Sequence, residues 1–548
     1  MLKKRSDLIF YSILAVISFF TFYSLVHTFY QQDEWMAHGH FLVEGPLAFI
    51  NQYSFVGLLA GGGRLPAQLF QYFLFTVFPF NIALISLISI AIHTLNSFLV
   101  YNITHRILKN KIVSFVSALF FLTASSAHQS ITWVGASIST VPSAFFALIS
   151  LWYYLRFLEK EKKIDATISF ASLFLSYFTK QSALFLFLLY PVMYVLRRDM
   201  SKKTLRKVIV KHIPLVIFLL IIIAPFFIGL FFREQTSENV FVTRNPLVSL
   251  ASHTFSYPVN SLSQMYFFPG AMFSIAKMFA PDMTGREIET IGATTASFII
   301  SMVLLAGTLL VYRLSSTYRK PIVFSLLFTL MSFLPFVALE KTHAYLDSRY
   351  YYLGTAGAGL LLSSIGFALH AYISKKYSQY GAQVAALFLG IVFTAYTISN
   401  IYFIHREVNK QTVLAQERIQ FLHNLDVQVP KLPHNPVLYI TGNAEYLLPG
   451  NYAPFQQGMG FTLMTWYYPE GNVPGELIKK DYLWQLGGEG YAEIEGNGFG
   501  YYANFSTLKQ DYSDGKLTSA TIIGLYYDAH SGTIETITDQ VIAELEKT

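Results

Sequence analysis

Residues 3–35 read KKRSDLIFYSILAVISFFTFYSLVHTFYQQDEW, and this stretch decides the fold. Lys3, Lys4 and Arg5 precede an apolar run, Leu8 to Tyr30, long enough to cross a bilayer. The run is too long for the apolar centre of a secretory leader, and no small-residue cleavage site follows, so it reads as an anchor. Just past it stand two adjacent carboxylates, Asp33 and Glu34. A carboxylate at the mouth of an apolar bundle is costly to desolvate and usually has a job. An aspartate there can act as general base on an acceptor hydroxyl. The plainer reading is a solvated acidic loop.

Working outward, apolar runs of about 20 residues recur as far as residue 403. Spans are expected near 8–30, 81–107, 112–130, 138–157, 165–178, 182–196, 209–231, 292–312, 321–339, 352–373 and 382–403, about eleven helices. Only 13% of the 548 residues are charged, about half the share usual in soluble domains. Of the 30 Lys/Arg before residue 404, 22 fall on the side of the N-terminus and 8 on the other. The positive-inside rule then puts the N-terminus in the cytoplasm of a plasma (inner) membrane protein, and an odd number of spans puts the C-terminal segment outside.

The net charge of +7 hides opposed parts: residues 1–403 carry 30 cations and 15 acids, residues 404–548 carry 9 and 17. Positive cytoplasmic loops account for the basic part, so no nucleic-acid partner is expected. With no cysteine, disulfides and thiolate metal sites are excluded. The expected division is a membrane domain over 1–403 and a small extracytoplasmic α/β domain over 404–548. The latter has a strand-like run at Val437–Ile440, a hairpin from Thr521 to Thr538 turning at Asp528–Gly532, and a closing helix from Asp539 to Lys547. Residues 404–425 read as a helix leading out of the membrane. In the long loop 31–80, Leu65 to Phe80 reads as a helix along the membrane surface.

On the expected outer side gather Asp33, Glu34, His128, Lys180, His343, Asp347, Arg349 and Tyr350. Chemistry on a lipid-phosphate donor needs a base for the acceptor hydroxyl and cations for the departing phosphate. Asp33 supplies the first; Lys180 and Arg349 supply the second, the arginine with bidentate reach. Each has a structural alternative. Lys180 can snorkel to the interface. Arg349 can pair with Asp347. His128 can be a hydrogen-bonded helix-end histidine, and Tyr350 can belong to an aromatic belt. His93 and Asn96, one turn apart, suit bonds to a neighbouring helix better than bonds to a substrate.

These residues, in this order, resemble the GT-C superfamily of polytopic glycosyltransferases, closest to the protein O-mannosyltransferase branch. Asp33-Glu34 matches the acidic pair of the family's first outer loop. His93-Thr-Leu-Asn96 looks like its His-Leu-Leu-Asn motif, and His128 to Ala136 its His-containing segment. Phe178-Thr-Lys180-Gln181 resembles Ser-Lys-Glu with Gln181 in place of the acid, and Ser348-Arg349-Tyr350-Tyr351-Tyr352-Leu353 resembles Arg-Tyr-Leu-Tyr-Leu-Pro. The likeness spans residues 8–403; no tetratricopeptide repeat follows.

The resemblance implies an enzyme with a GT-C-like fold. It would transfer a hexose, with inversion, from a polyprenyl-phosphate-linked sugar donor to a hydroxyl of a glycan, lipid or protein acceptor on the outer face of the lipid bilayer. Asp33 would be the catalytic base. Lys180 and Arg349 would hold the phosphate, and Glu34, His128, Gln181, His343 and Tyr350 would shape the site or bind the sugar. No cofactor is required on this reading, and no metal site is indicated, although acidic loop residues leave a divalent metal open. The alternative functions are a transporter or lipid-linked-sugar flippase, disfavoured by the absence of symmetric halves, and a non-catalytic scaffold.

Overall fold

The structure is a computed structural model. It describes residues 2–547 except 32, 51–52, 54–56, 59–61, 198–211, 214, 216, 218–219, 222–245, 268–269, 338–345, 377–378, 433–435, 444–458, 474–499, 503 and 529. Backbone groups in lipid must be satisfied within their own segment, so long apolar runs fold as helices. In chain order these are α1 (Leu2–Phe22), α2 (Asp33–Glu44), α3 (Leu65–Val77), α4 (Ile82–Leu108), α5 (Lys111–Thr123), α6 (Val134–Lys160), α7 (Lys163–Thr179) and α8 (Leu186–Arg197). Then come α9 (Pro246–Gln264), α10 (Ala271–Phe279), α11 (Ala293–Leu314), α12 (Arg319–Met331), α13 (Tyr352–Lys376), α14 (Gln379–Gln428), α15 (Met459–Tyr467), α16 (Phe505–Ser513) and α17 (Thr538–Leu545).

Among the described residues, seven helices are long and apolar enough to cross a membrane, and two shorter apolar ones accompany them. The chain is a multi-pass, mainly helical membrane protein with a small sheet near its C-terminus. The expected span 112–130 is cut short: α5 stops at Thr123 because Ala124 turns extended and a 3-10 turn, Ser125–Ala127, follows. The expected span 209–231 lies mostly outside the described residues. The span at 382–403 and the helix expected over 404–425 are one continuous helix, α14.

The residues form two compact units. The first comprises Met1–Tyr23, Tyr53–Ala67 and Leu87–Arg406; the second comprises Ser24–Gln52, Gln68–Ser86 and Glu407–Thr548. In the first, α6 and α7 are joined by paired serines. Ser143 Oγ donates to Ser176 O at 3.1 Å and Ser176 Oγ donates to Ser143 O at 2.7 Å. Two turns further along, Ser150 and Ser169 repeat the exchange at 2.7 and 2.9 Å. Small polar residues let helix backbones approach while satisfying one another without water. Glycines do the same for α13. A Cβ at Gly357 would press on the Phe328 ring and lie 2.9 Å from the Thr329 backbone nitrogen of α12. One at Gly359 would lie 2.7 Å from the Ser117 carbonyl of α5.

In the second unit the sheet order is β2-β1-β3-β4, with β1 Val437–Gly442, β2 Gly500–Tyr502, β3 Ile522–Asp528 and β4 Thr533–Thr536. β1 runs parallel to β2 and to β3, in register Val437↔Gly500 and Val437↔Ile522. The expected hairpin is β3–β4, antiparallel, with Leu525 opposite Thr536. Its turn is held by Asp528, whose carboxylate accepts from the His530 N–H, Ser531 Oγ and Asn443 Nδ2. One side of the sheet buries Val437, Tyr439, Tyr502 and Ile522 with Leu508 of α16 and Val541 and Leu545 of α17. α2 buries Trp35 and His38 among the rings of Tyr30, Phe75 and Phe80 in the same unit.

Candidate functional site: a three-cation cluster in the first unit

The serine pairs that fix α7 on α6 also place Lys180. α7 ends at Thr179, and Lys180 is extended (φ −164°) with its N–H on Ser176 O and its carbonyl 3.1 Å from Ser143 Oγ, whose one proton is shared between this carbonyl and Ser176 O. Its side chain stays within the unit: Lys180 is buried, and Nζ donates to Thr140 Oγ1 on α6. The Tyr350 ring lies 5.9 Å from Nζ.

Arg349 comes from the 3-10 turn Ser348–Tyr350, immediately before α13. Ser130 Oγ donates to its carbonyl at 3.1 Å. Its guanidinium stacks 4.7 Å from Trp133 and 5.2 Å from Tyr350, and pairs at 2.9 Å with the exposed Asp347 carboxylate. Weakly hydrated, planar guanidinium suits this aromatic slot, where an ammonium would not.

A third cation arrives from the loop before α3. Arg64 adopts φ +47° directly after Gly63 at φ +71°. A non-glycine residue held in the left-handed region is sparsely populated and marks places where a side chain must be aimed. Arg64 lies within electrostatic reach of Arg349, Tyr350, Tyr53 and Lys180. Burial holds the Lys180 ammonium well below the usual lysine range, and the charges of Arg64 and Arg349 push it further down. Arg64 itself is exposed, so solvent screens its charge more than that of buried Lys180. Among the described residues, Asp347 is the one carboxylate ion-paired to any of the three. The indole N–H of Trp133 is buried with no acceptor among the described residues. Among the described residues the cluster therefore has surplus positive charge and an unused donor, and beside buried Lys180 an anion is worth more than in water.

The other expected residues fall as follows. His128 is buried, its Nδ1 2.8 Å from Ser125 O and its ring 5.6 Å from Phe403, and it caps the single turn Gln129–Thr132 that carries Ser130. Gln181, half-buried, opens the 3-10 turn after Lys180. His343 lies outside the described residues. Asp33 and Glu34 belong to the second unit, at the start of α2. Asp33 is half-buried; Glu34 is fully buried, and its Oε2 accepts the Gln31 N–H at 3.1 Å. Arg418 of the same unit lies within reach of Glu34's charge.

Arg64, Thr140 and Trp133 escaped the sequence reading. The signal for Arg64 was present in Gly61-Gly62-Gly63, a run that makes positive φ cheap just ahead of a cation. Thr140 and Trp133 carry no signal apart from their neighbours in space.

Residues 66–228 match the family model described as dolichyl-phosphate-mannose-protein mannosyltransferase. The stretch includes His93, Asn96, His128, Lys180 and Gln181, and on it the likeness to GT-C glycosyltransferases read from the motifs is shown. The archaeal oligosaccharyltransferase AglB from Archaeoglobus fulgidus, solved with an inhibitory peptide and a dolichol-phosphate, has a TM-score of 0.48 and 13% identity, over 96% of this chain and 70% of that one. No curated protein matches the chain.

Proposed function

We propose that the protein is an integral membrane glycosyltransferase that takes a sugar from a polyprenyl-phosphate carrier and passes it, with inversion, to an acceptor hydroxyl on the extracytoplasmic face. One observation carries the reading: Arg64, Lys180 and Arg349 converge, and among the described residues one exposed carboxylate, Asp347, pairs with them. The family match over residues 66–228 supports sugar transfer as the reaction. The acceptor oxygen would attack the anomeric carbon as the bond from that carbon to the phosphate oxygen breaks. The acceptor proton would pass to Asp33, the base read from the sequence. The leaving phosphate gains negative charge in that step, so the three cations would bind the transition state better than the donor, which is what accelerates a reaction. Purified protein supplied with polyprenyl-phosphate hexoses and a hydroxyl-bearing acceptor should release free polyprenyl phosphate, and Arg64→Met, Lys180→Met and Arg349→Met should each suppress that release. Turnover unaffected by all three would remove the cluster from the mechanism.

A further inference from the structure

His93 and Asn96 of α4 are fully buried, and both side chains meet at the hydroxyl of Tyr352, the first residue of α13. His93 Nδ1 lies 2.7 Å and Asn96 Nδ2 3.0 Å from Tyr352 Oη. His93 Nε2 lies 3.1 Å from the carbonyl of Leu122 on α5, and Asn96 Nδ2 also donates to the carbonyl of Val141 on α6 at 3.0 Å. The proton positions follow from the partners. A carbonyl only accepts, so Nε2 carries the proton and Nδ1 is the acceptor. Tyr352 therefore donates to His93 and accepts from Asn96. A protonated His93 would leave the Tyr352 hydroxyl proton without a partner. The His93 ring, the Tyr352 hydroxyl and Asn96 Nδ2 are satisfied together in one neutral arrangement that ties four helices, while Asn96 Oδ1 is buried without a partner among the described residues.

Its two outlets lead to the cation cluster. Val141 adjoins Thr140, the acceptor for Lys180 Nζ. Tyr352 stands three residues after Arg349 and two after Tyr350, whose ring lies near both cations. The residue between them, Tyr351, is held separately, by a 2.5 Å bond from its hydroxyl to Gln264 Oε1 of α9. Tyr350 meets the cations, Tyr351 fixes α9, and Tyr352 fixes α4 and α6. We infer that His93 and Asn96 are positioning residues: through Tyr352 and Val141 they set the spacing of Arg349 and Lys180 without touching a ligand. The inference rests on reading the cluster as a phosphate site.

The test measures binding of farnesyl phosphate to the purified, detergent-solubilised full chain, followed by the fluorescence of Trp133 against a Trp133→Phe blank. Tyr352→Phe removes one hydroxyl and keeps the ring. It should weaken binding about tenfold in the native background, and less than about twofold when Arg349 is already Met, because the lock acts through that arginine. His93→Gln offers the same acceptor and donor and should stay near native, whereas His93→Leu should match Tyr352→Phe. If Tyr352→Phe does not fold, the His93 pair decides alone. Equal losses from Tyr352→Phe in both backgrounds, or equal losses in His93→Gln and His93→Leu, would show a general packing role and overturn the inference. Native binding in Tyr352→Phe and His93→Leu alongside weakened binding in Lys180→Met would overturn it too, with the phosphate site standing. Native binding in Lys180→Met and Arg349→Met would overturn the phosphate site itself.

Discussion

Lys180→Met removes the most deeply buried cation of the cluster and keeps a stem of similar length. A unit charge on a phosphate oxygen about 4 Å away, at an effective dielectric near 20, is held by roughly 4 kcal/mol. Not all of this is lost, because the substitution also ends the repulsion that Lys180 shares with Arg64 and Arg349. If that relief offsets about half, some 2 kcal/mol remains, or roughly 30-fold in the Kd for polyprenyl phosphate. Arg349→Met should cost less, about tenfold, because Asp347 already draws on its charge. The double variant should lose less than the product of the two, since both cations serve one ligand. The decisive assay is competition. The donor is a phosphodiester with one negative charge, whereas the released monoester carries about −1.5 to −2 near pH 7. Each missing cation should therefore weaken the product more than the donor, so the ratio of product Ki to donor KM should rise in Lys180→Met. An unchanged ratio would refute differential binding by charge, even if both constants moved.

The same lysine gives the profile an alkaline limb. Its pKa in the free protein is depressed, by burial first and by the two arginines second. A bound phosphate favours the ammonium and so raises that pKa. Affinity is then full below the free-state pKa and falls as pH rises through it, below the range where an ordinary lysine titrates. Lys180→Arg should move this limb upward, and Lys180→Met should abolish it. On the acid side the monoester takes a proton near pH 6, a limb that every variant should share.

Other outcomes follow from single features. Asp33→Asn should lower turnover by on the order of 10²–10⁴-fold with insertion intact, as read by product release per folded protein. Gly357→Ala places a methyl against Phe328 and the Thr329 backbone, and should destabilise the α12–α13 contact by about 1–3 kcal/mol, visible as a lower Tm in detergent. Asp528 is held down to about 2 by Asn443, the His530 N–H and Ser531. A depressed carboxylate contributes stability that is present above its unfolded pKa and lost as pH falls through the folded one. The hairpin should loosen between about pH 4 and 2, and Asp528→Asn should flatten that window in an acid titration followed by circular dichroism.

Much of this architecture is legible in the chain because lipid imposes a simple rule. The long helices α4, α6, α11, α13 and α14 announce themselves by apolar length, and the hairpin by Asp528 to Gly532 between alternating runs. What the pattern hides is polar pairing between helices. Ser143 with Ser176 looks like ordinary polar scatter within a span until its partner is known, whereas His93 and Asn96, read as bonding a neighbouring helix, do so. The end of α5 was hidden for a related reason: Ala124 to Ala127 is small and nearly neutral in hydropathy, so nothing in composition signals the turn.

The cation cluster was half legible on the same grounds. Lys180 and Arg349 stand out because charge is rare at the ends of apolar runs. Arg64 does not, since it follows a glycine run in a long loop where charge is unremarkable. Its aim depends on backbone geometry, two successive positive φ angles, that residue type only permits and does not dictate. The structure adds direction to the motif at 349–352. In sequence Tyr350 is a candidate site residue with an interfacial belt as its structural alternative, and in the structure Tyr350 turns to the cations, Tyr351 to Gln264, and Tyr352 to His93 and Asn96. Successive residues of a tight turn leading into a helix point about 100–120° apart. Consecutive aromatic residues there can bond three different neighbours, which is why a run of three tyrosines after Arg349 serves three separate contacts.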